Sequence, residues 1–512
     1  MSRTENSVKN YFSNLFTTII SNLLNVISRT VFIYILGADY LGVNGLFSNL
    51  LAMLSLAELG IGSAINFSLY KPVAEQNEKK IICLMSFYKK CYRIIAIIVF
   101  CIGMVMMLFL DYLVKDPGNI QHIRLIFLIY VINTSYSYLL TYKNTLLNAC
   151  QKDYLLLKSN LFFSILNILA QMIVLVITRN YICYLISNML VLFLQRLYVN
   201  SLINRTFPIV LSKIDEKIDK KELFTIKKNV KAMIWHKLGD YCINGTDNII
   251  ISMFLSIKIV GYYSNYLMII NMVMAYVNMI FNNMTASMGN LISIEKEEKR
   301  YLVFKKINFI GVWLYGFISV CLFILLNPFL KLWIGKQYVL SFPIVAVIVL
   351  NNYMMGMRIP PFIVKSAAGL YAEDQFVPIV QSAVNLIVSI ILAQKIGLIG
   401  VFIGTLVSGL LPCFYRPYLI YKKVFRRNSI GYYINYLRDI FNVIVVIIII
   451  EVIDFFMSGV PEIVRFIINM GLCVIITNFI FLILYHKQPE FRELLNIGEN
   501  LCKKIKQKKQ VL

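Results

Sequence analysis

Runs of about 18–25 apolar residues recur along the whole chain, parted by short basic stretches, and this pattern constrains the fold more than any other feature. With 59% hydrophobic and 15% charged residues and a mean hydropathy of +0.72, 512 residues cannot hide their apolar surface in an aqueous fold. The bilayer must solvate that surface, and it leaves no water for unpaired backbone groups. Runs of this length therefore specify helices, whereas a barrel needs ten-residue alternating segments. The expectation is an all-α polytopic membrane protein with about fourteen transmembrane helices. Spans are expected near Leu15–Leu36, Leu41–Tyr70, Ile94–Val114, Leu125–Tyr142, Leu155–Thr178, Tyr181–Tyr198 and Ala232–Leu255. They continue at Val260–Phe281, Ile307–Leu326, Phe342–Met357, Phe376–Ala393, Leu398–Leu419, Ile440–Met457 and Phe466–Tyr485.

The formal charge of +24 invites a nucleic-acid reading, which its distribution opposes. With the N-terminus inside, cytoplasmic segments hold 37 of the 50 Lys and Arg residues and outer loops hold 8. Such asymmetry is the positive-inside pattern and puts both ends in the cytoplasm, with the basic loops against anionic lipid of the cell membrane. The first span is too long for a signal-peptide core and carries Asn22, Asn25 and Arg29, so it reads as retained. Ten scattered cysteines without a C-x-x-C pair imply neither a disulfide framework nor a metal site. No Walker A or H-E-x-x-H sequence occurs, and the three histidines are far apart, so the reading includes no cofactor, ATP-driven pump or enzyme.

A weak internal repeat organises the spans. Lys9-Asn10, Asn25 and Gly42 recur 219 residues later as Lys228-Asn229, Asn244 and Gly261. Ser164 and Asn167 recur as Ser382 and Asn385 at 218, and Arg196 and Tyr198 as Arg416 and Tyr418 at 220. Duplication after an even number of spans gives two parallel-repeat six-helix bundles, with a site between them near the bilayer midplane. The expected parts are a cytoplasmic N-terminus (1–14), a first bundle (15–198), a cytoplasmic linker (199–231), a second bundle (232–421), two accessory helices (422–485) and a basic tail (486–512). Within the linker, IDEKIDKKELFTIKKNVK reads equally as an amphipathic surface helix or a solvated connection.

Ionisable residues inside spans are the more specific signals, because a charge at the bilayer centre costs about 2.5–3.5 kcal/mol on insertion scales. Arg29 lies in the first span, Glu58 in the second, and Lys237, Asp240 and Asp247 in the seventh. Spacings of three and seven put the last three on roughly one helix face. Two readings are open there: a site for an anion coupled to a cation, or a neutralised structural pair of Lys237 with Asp240. Arg29 has no opposite charge one turn away, which favours substrate binding. Glu58 is either an ion site or the partner of Arg29. Lys158, Arg196, Arg358 and Arg416 are expected to snorkel to the interface, and Glu451 and Asp454 receive no role. His236 reads as a packing residue. Asn265, Asn271, Asn278, Asn282 and Asn283 either contact sugar hydroxyls or join helices.

The segment RTVFIYILGADYLGVNGLFSNLLAMLSLAELGIGSAI from Arg29, and TDNIIISMFLSIKIVGYYSNYLMI after it, resemble Wzx-type polysaccharide flippases. These belong to the superfamily that also holds multidrug and toxin extrusion (MATE) transporters and the lipid II flippase. The resemblance extends to the 6 + 6 + 2 layout and implies a MATE-like, two-lobed fold with alternating access. It implies translocation of undecaprenyl-diphosphate-linked oligosaccharide for capsule, exopolysaccharide or another surface glycan, with a glycan polymerase or assembly proteins downstream. Arg29 and Lys237 would then bind the diphosphate. Glu58, Asp240 and Asp247 would be candidates for a coupling proton or sodium ion. Competing readings are a multidrug or organic-cation exporter, a lipid II flippase, and a membrane polysaccharide polymerase or ligase. The charge pair opposes the first of these. The short outer loop near 327–341 opposes the last.

Overall fold

The computed structural model describes all residues except 1–2, 55–57, 59–60, 119, 151, 153, 209–222, 225, 227–229, 231–244 and 497–512. Its regular elements are helices, and among the described residues eleven are long and apolar enough to cross a bilayer. Side chains such as Ile177 (75% exposed) and Phe456 (80% exposed) point outward from them, a surface that only lipid can cover. The chain is a multi-pass membrane protein and divides into two compact units, Met1–Asn265 and Tyr266–Leu512.

The first unit opens with α1 (Arg3–Leu54), then α2 (Ile61–Ala74), α3 (Glu78–Leu108), the single turn α4 (Leu110–Leu113), α5 (Ile123–Thr141) and α6 (Asn144–Ala149). It continues with α7 (Tyr154–Thr178), α8 (Tyr181–Thr206), α9 (Thr246–Phe254) and the first turns of α10 (Ile257–Ile294). Starts follow local chemistry. Asn77 caps α3 by accepting from the Lys80 amide, and Asn180 caps α8 by accepting from the Ile182 and Cys183 amides. Helix α3 packs on α5, α7 on α8 and α1, and α8 on α5.

The break expected between the first two spans falls at Gly37, whose φ of 81° is a backbone conformation open to glycine and which divides α1 into two helical segments at a kink. Within the second expected span, α1 is described as far as Leu54 and α2 from Ile61, and of the residues between them only Glu58 is described. The amphipathic stretch of the linker and most of the seventh expected span lie outside the described residues, so the expected count is matched only as far as the eleven.

In the second unit the 38-residue α11 (Glu297–Ile334) is the central helix. Around it stand α12 (Phe342–Met357), α13 (Ile359–Ala367) and the accessory pair α17 (Ile430–Phe456) and α18 (Glu462–Tyr485). The turn α14 (Tyr371–Asp374) leads into the tightly packed hairpin of α15 (Val377–Ile396) and α16 (Leu398–Ile420). About 61% of the apolar window of α11 is buried inside the protein, against 22% for α18, which fits a hub and a lipid-facing periphery.

Candidate functional site

Within the first unit, α1 and α10 cross at backbone contact. A Cβ on Gly42 would lie 1.9 Å from the Ile257 carbonyl oxygen, and one on Gly261 would lie 2.2 Å from the Ala38 carbonyl oxygen. Only glycine permits that approach. The two contacts are reciprocal at the repeat offset, since Ala38 and Ile257, like Gly42 and Gly261, are 219 apart.

One turn-pair away along α1 lies Arg29, half-buried. Its Nε donates to Asn265 Oδ1 at 3.0 Å and its Nη2 to Ser264 Oγ at 2.6 Å, while Ser264 Oγ donates to the Gly261 carbonyl at 2.7 Å. The Tyr184 hydroxyl of α8 lies near the guanidinium. All these partners are neutral, and among the described residues no carboxylate pairs with Arg29. Asn265 is fully buried, and its Nδ2 has no acceptor. The guanidinium has donors left over too, since it carries five N–H groups. The site is thus a cluster of donors and one positive charge, short of an acceptor-rich anion. Asn248, the residue 219 after Arg29, is buried beside Gly45 with its Oδ1 unpaired.

Glu58 does not pair with Arg29. Its Oε1 accepts from the Tyr92 hydroxyl at 2.5 Å, Tyr88 donates to Tyr92 at 2.7 Å, and Thr145 donates to Tyr88 at 3.1 Å. Gly62 leaves room for this chain of hydroxyls; a Cβ there would sit 2.6 Å from Glu58 Oε1. The carboxylate is therefore held by groups that can pass or share a proton. Asp247 stands in the first turn of α9, where the helix dipole favours an anion, and acts electrostatically on Tyr263. Lys237, Asp240 and His236 lie outside the described residues. Asn271 and Asn278 are exposed on α10.

The snorkelling expectation is corrected for Arg416. Arg416 turns inward onto Asp374 at 3.1 Å, beside Lys365, whose Nζ is 2.7 Å from the same carboxylate. Lys365 and Asp374 are 2% and 1% exposed, so one carboxylate holds two cations in the second unit. Arg358 reaches Cys413 Sγ at 3.3 Å, and Arg196 lies over the Tyr136 ring at 5.0 Å. Each has a polar or aromatic partner within the protein. Lys158 is exposed as expected. Asp454, unassigned from sequence, pairs with Arg465 and accepts from Asn469, stapling α17 to α18.

Comparison with known proteins places the fold. No family model and no curated protein matches the chain. Among solved structures, the lipid II flippase MurJ in an inward closed conformation aligns with a TM-score of 0.61 at 15% identity, over 92% of this chain and 98% of that one. An inward-facing MATE family multidrug resistance transporter of the MOP superfamily gives 0.59 at 10% identity, over 78% and 94%. A MOP superfamily transporter from Pyrococcus furiosus, described by the reverse polarity of its binding pocket, gives 0.51 at 12% identity, over 78% and 91%. The chain has the fold that these membrane transporters share.

Proposed function

We propose that this protein is a flippase that carries an undecaprenyl-diphosphate-linked oligosaccharide across the cytoplasmic membrane for assembly of a surface polysaccharide. The observation that carries this reading is the cluster at Arg29: a half-buried guanidinium and the unpaired Asn265 amide, with only neutral partners. Diphosphate oxygens complement such donors, and charge-assisted bonds of this kind are about twice as strong as neutral ones. The prenyl tail stays in lipid while the head group crosses, and Lys237 is the proposed second cation. A multidrug cation exporter would want a carboxylate where Arg29 stands. Deleting the gene is expected to accumulate one lipid-linked glycan on the inner leaflet, and wild-type chain should clear it. No accumulation would reject the reading. Accumulation of lipid II would replace it with the second reading, favoured by the near-complete overlap with MurJ.

Both bundles, the accessory pair and cytoplasmic termini belong to this proposal, as do a polymerase or assembly proteins that receive the glycan. Transport is driven by proton or sodium antiport, with Glu58, Asp240 and Asp247 as coupling carboxylates. Glu58 is the strongest candidate, because its hydroxyl chain can hold the neutral or charged form. Glu58→Gln is expected to abolish the dependence of transport on an ion gradient in reconstituted vesicles. Coupling unchanged in Glu58→Gln and in Asp247→Asn would eliminate this mechanism.

A further inference from the structure

Lys143 sits at the corner between α5 and α6 and is 6% exposed. Its Nζ donates to Asn204 Oδ1 of α8 at 2.6 Å and lies 5.8 Å from the Tyr142 ring centre. An ammonium carries three donors, and a buried one with a single neutral partner is costly unless an anion joins it. Among the described residues no carboxylate pairs with Lys143 or with its exposed neighbours Lys89 and Arg93. Lys89 acts electrostatically on Lys143, and Arg93 on the Tyr142 hydroxyl. Burial first, and Lys89 second, push the Lys143 ammonium below its ordinary value, the direction that a bound anion reverses. Among the described residues, three cations from α3 and the α5–α6 corner thus lie together without a counter-charge.

We propose that Lys143, Lys89 and Arg93 form a phosphate-binding site, separate from Arg29, that takes the phosphate or diphosphate group of a lipid head group or of a free anion. The buried Lys143, oriented by Asn204, supplies the directional donors, and exposed Lys89 and Arg93 attract the anion from the surface. Tyr142 packs edge-on against Tyr88 at 6.4 Å, and Tyr88 is a link in the hydroxyl chain to Glu58. A chain of contacts through Tyr142, Tyr88 and Tyr92 thus joins this corner to the proposed coupling carboxylate. On the proposed orientation this corner faces the cytoplasm, where a lipid-linked diphosphate would first dock. The site stands on its own geometry and does not require the transport reading.

The test uses the full-length chain in neutral-lipid nanodiscs, titrated with inorganic pyrophosphate and with a short polyprenyl diphosphate. An Arg29→Ala background isolates this site from the central cation. Saturable binding is expected to persist in that background and to weaken about tenfold or more on adding Lys143→Met, as for loss of a charge-assisted bond. Lys89→Gln with Arg93→Gln, both at exposed positions, should weaken it several-fold with the thermal midpoint unchanged, and Lys143→Arg should partly restore it. Tighter binding of the polyprenyl compound identifies a lipid head group, and equal binding identifies a free anion; either supports the site. Binding unaffected by Lys143→Met and by the Lys89/Arg93 pair overturns it. Because binding is read directly, its failure is distinguishable from failure of glycan export by Arg29 variants.

Discussion

Arg29→Ala is expected to stop export of the surface glycan while the protein still inserts and folds. The substitution removes the one charge in a cluster whose other members, Asn265 and Ser264, are neutral. A hydrogen bond to a charged group contributes about 1.5–3 kcal/mol, so losing two donors to a diphosphate would lower its affinity by about a hundredfold or more. Folding should survive, because Ser264 keeps its bond to the Gly261 carbonyl when the guanidinium goes. Arg29→Lys should rescue poorly, since a point charge cannot reproduce the planar fork. The measurement is surface glycan and inner-leaflet precursor in cells expressing each variant at equal membrane abundance. Normal export by Arg29→Ala would remove the central argument of the proposed function.

Gly42→Leu should have the largest structural effect of any single change at the α1–α10 crossing. Even the first added carbon would overlap the Ile257 carbonyl at 1.9 Å, and a backbone oxygen cannot rotate out of the way as a side chain can. Overpacking a close interface costs about 1–3 kcal/mol where neighbours yield, and the cost should reach the top of that range here. Gly261→Leu should match it, because the repeat places the reciprocal contact on Ala38. Gly431→Ala, with nothing within 4 Å of its added carbon, is the silent control. Thermal unfolding of the purified variants decides the matter: equal midpoints for Gly42→Leu and Gly431→Ala would show that the crossing is not tightly packed.

Parts of the site were legible in the linear chain for identifiable reasons. Arg29 stood out because a cation within an apolar run is costly wherever that run folds. Gly42 and Gly261 stood out because they are 219 residues apart, the offset of several other matches, and the structure shows why glycine occupies both positions. Asn265 was visible only as one of several asparagines on its helix. Its singular role depends on a bond to a residue 236 positions earlier. Lys143 gave no sequence signal, since a lysine just after an apolar run ordinarily reaches for water, yet this one is folded under α8. Arg416 was misread for the same reason, its carboxylate lying 42 residues away.

What the sequence alone determined was the solvent and the helical scaffold: apolar runs of spanning length, parted by basic stretches, and the unusual charges within them. These are local properties, because transfer of a helix into lipid depends on its own side chains and the backbone satisfies itself within each span. Only the tertiary structure decided which charges are satisfied and which are not. It gave Arg465 to Asp454, and Asp374 to Lys365 and Arg416, tied Glu58 to Tyr92, and left Arg29 and Lys143 with neutral partners. Partner choice in a low-dielectric interior is set by which helices touch and at what register, and no spacing within a single span encodes that.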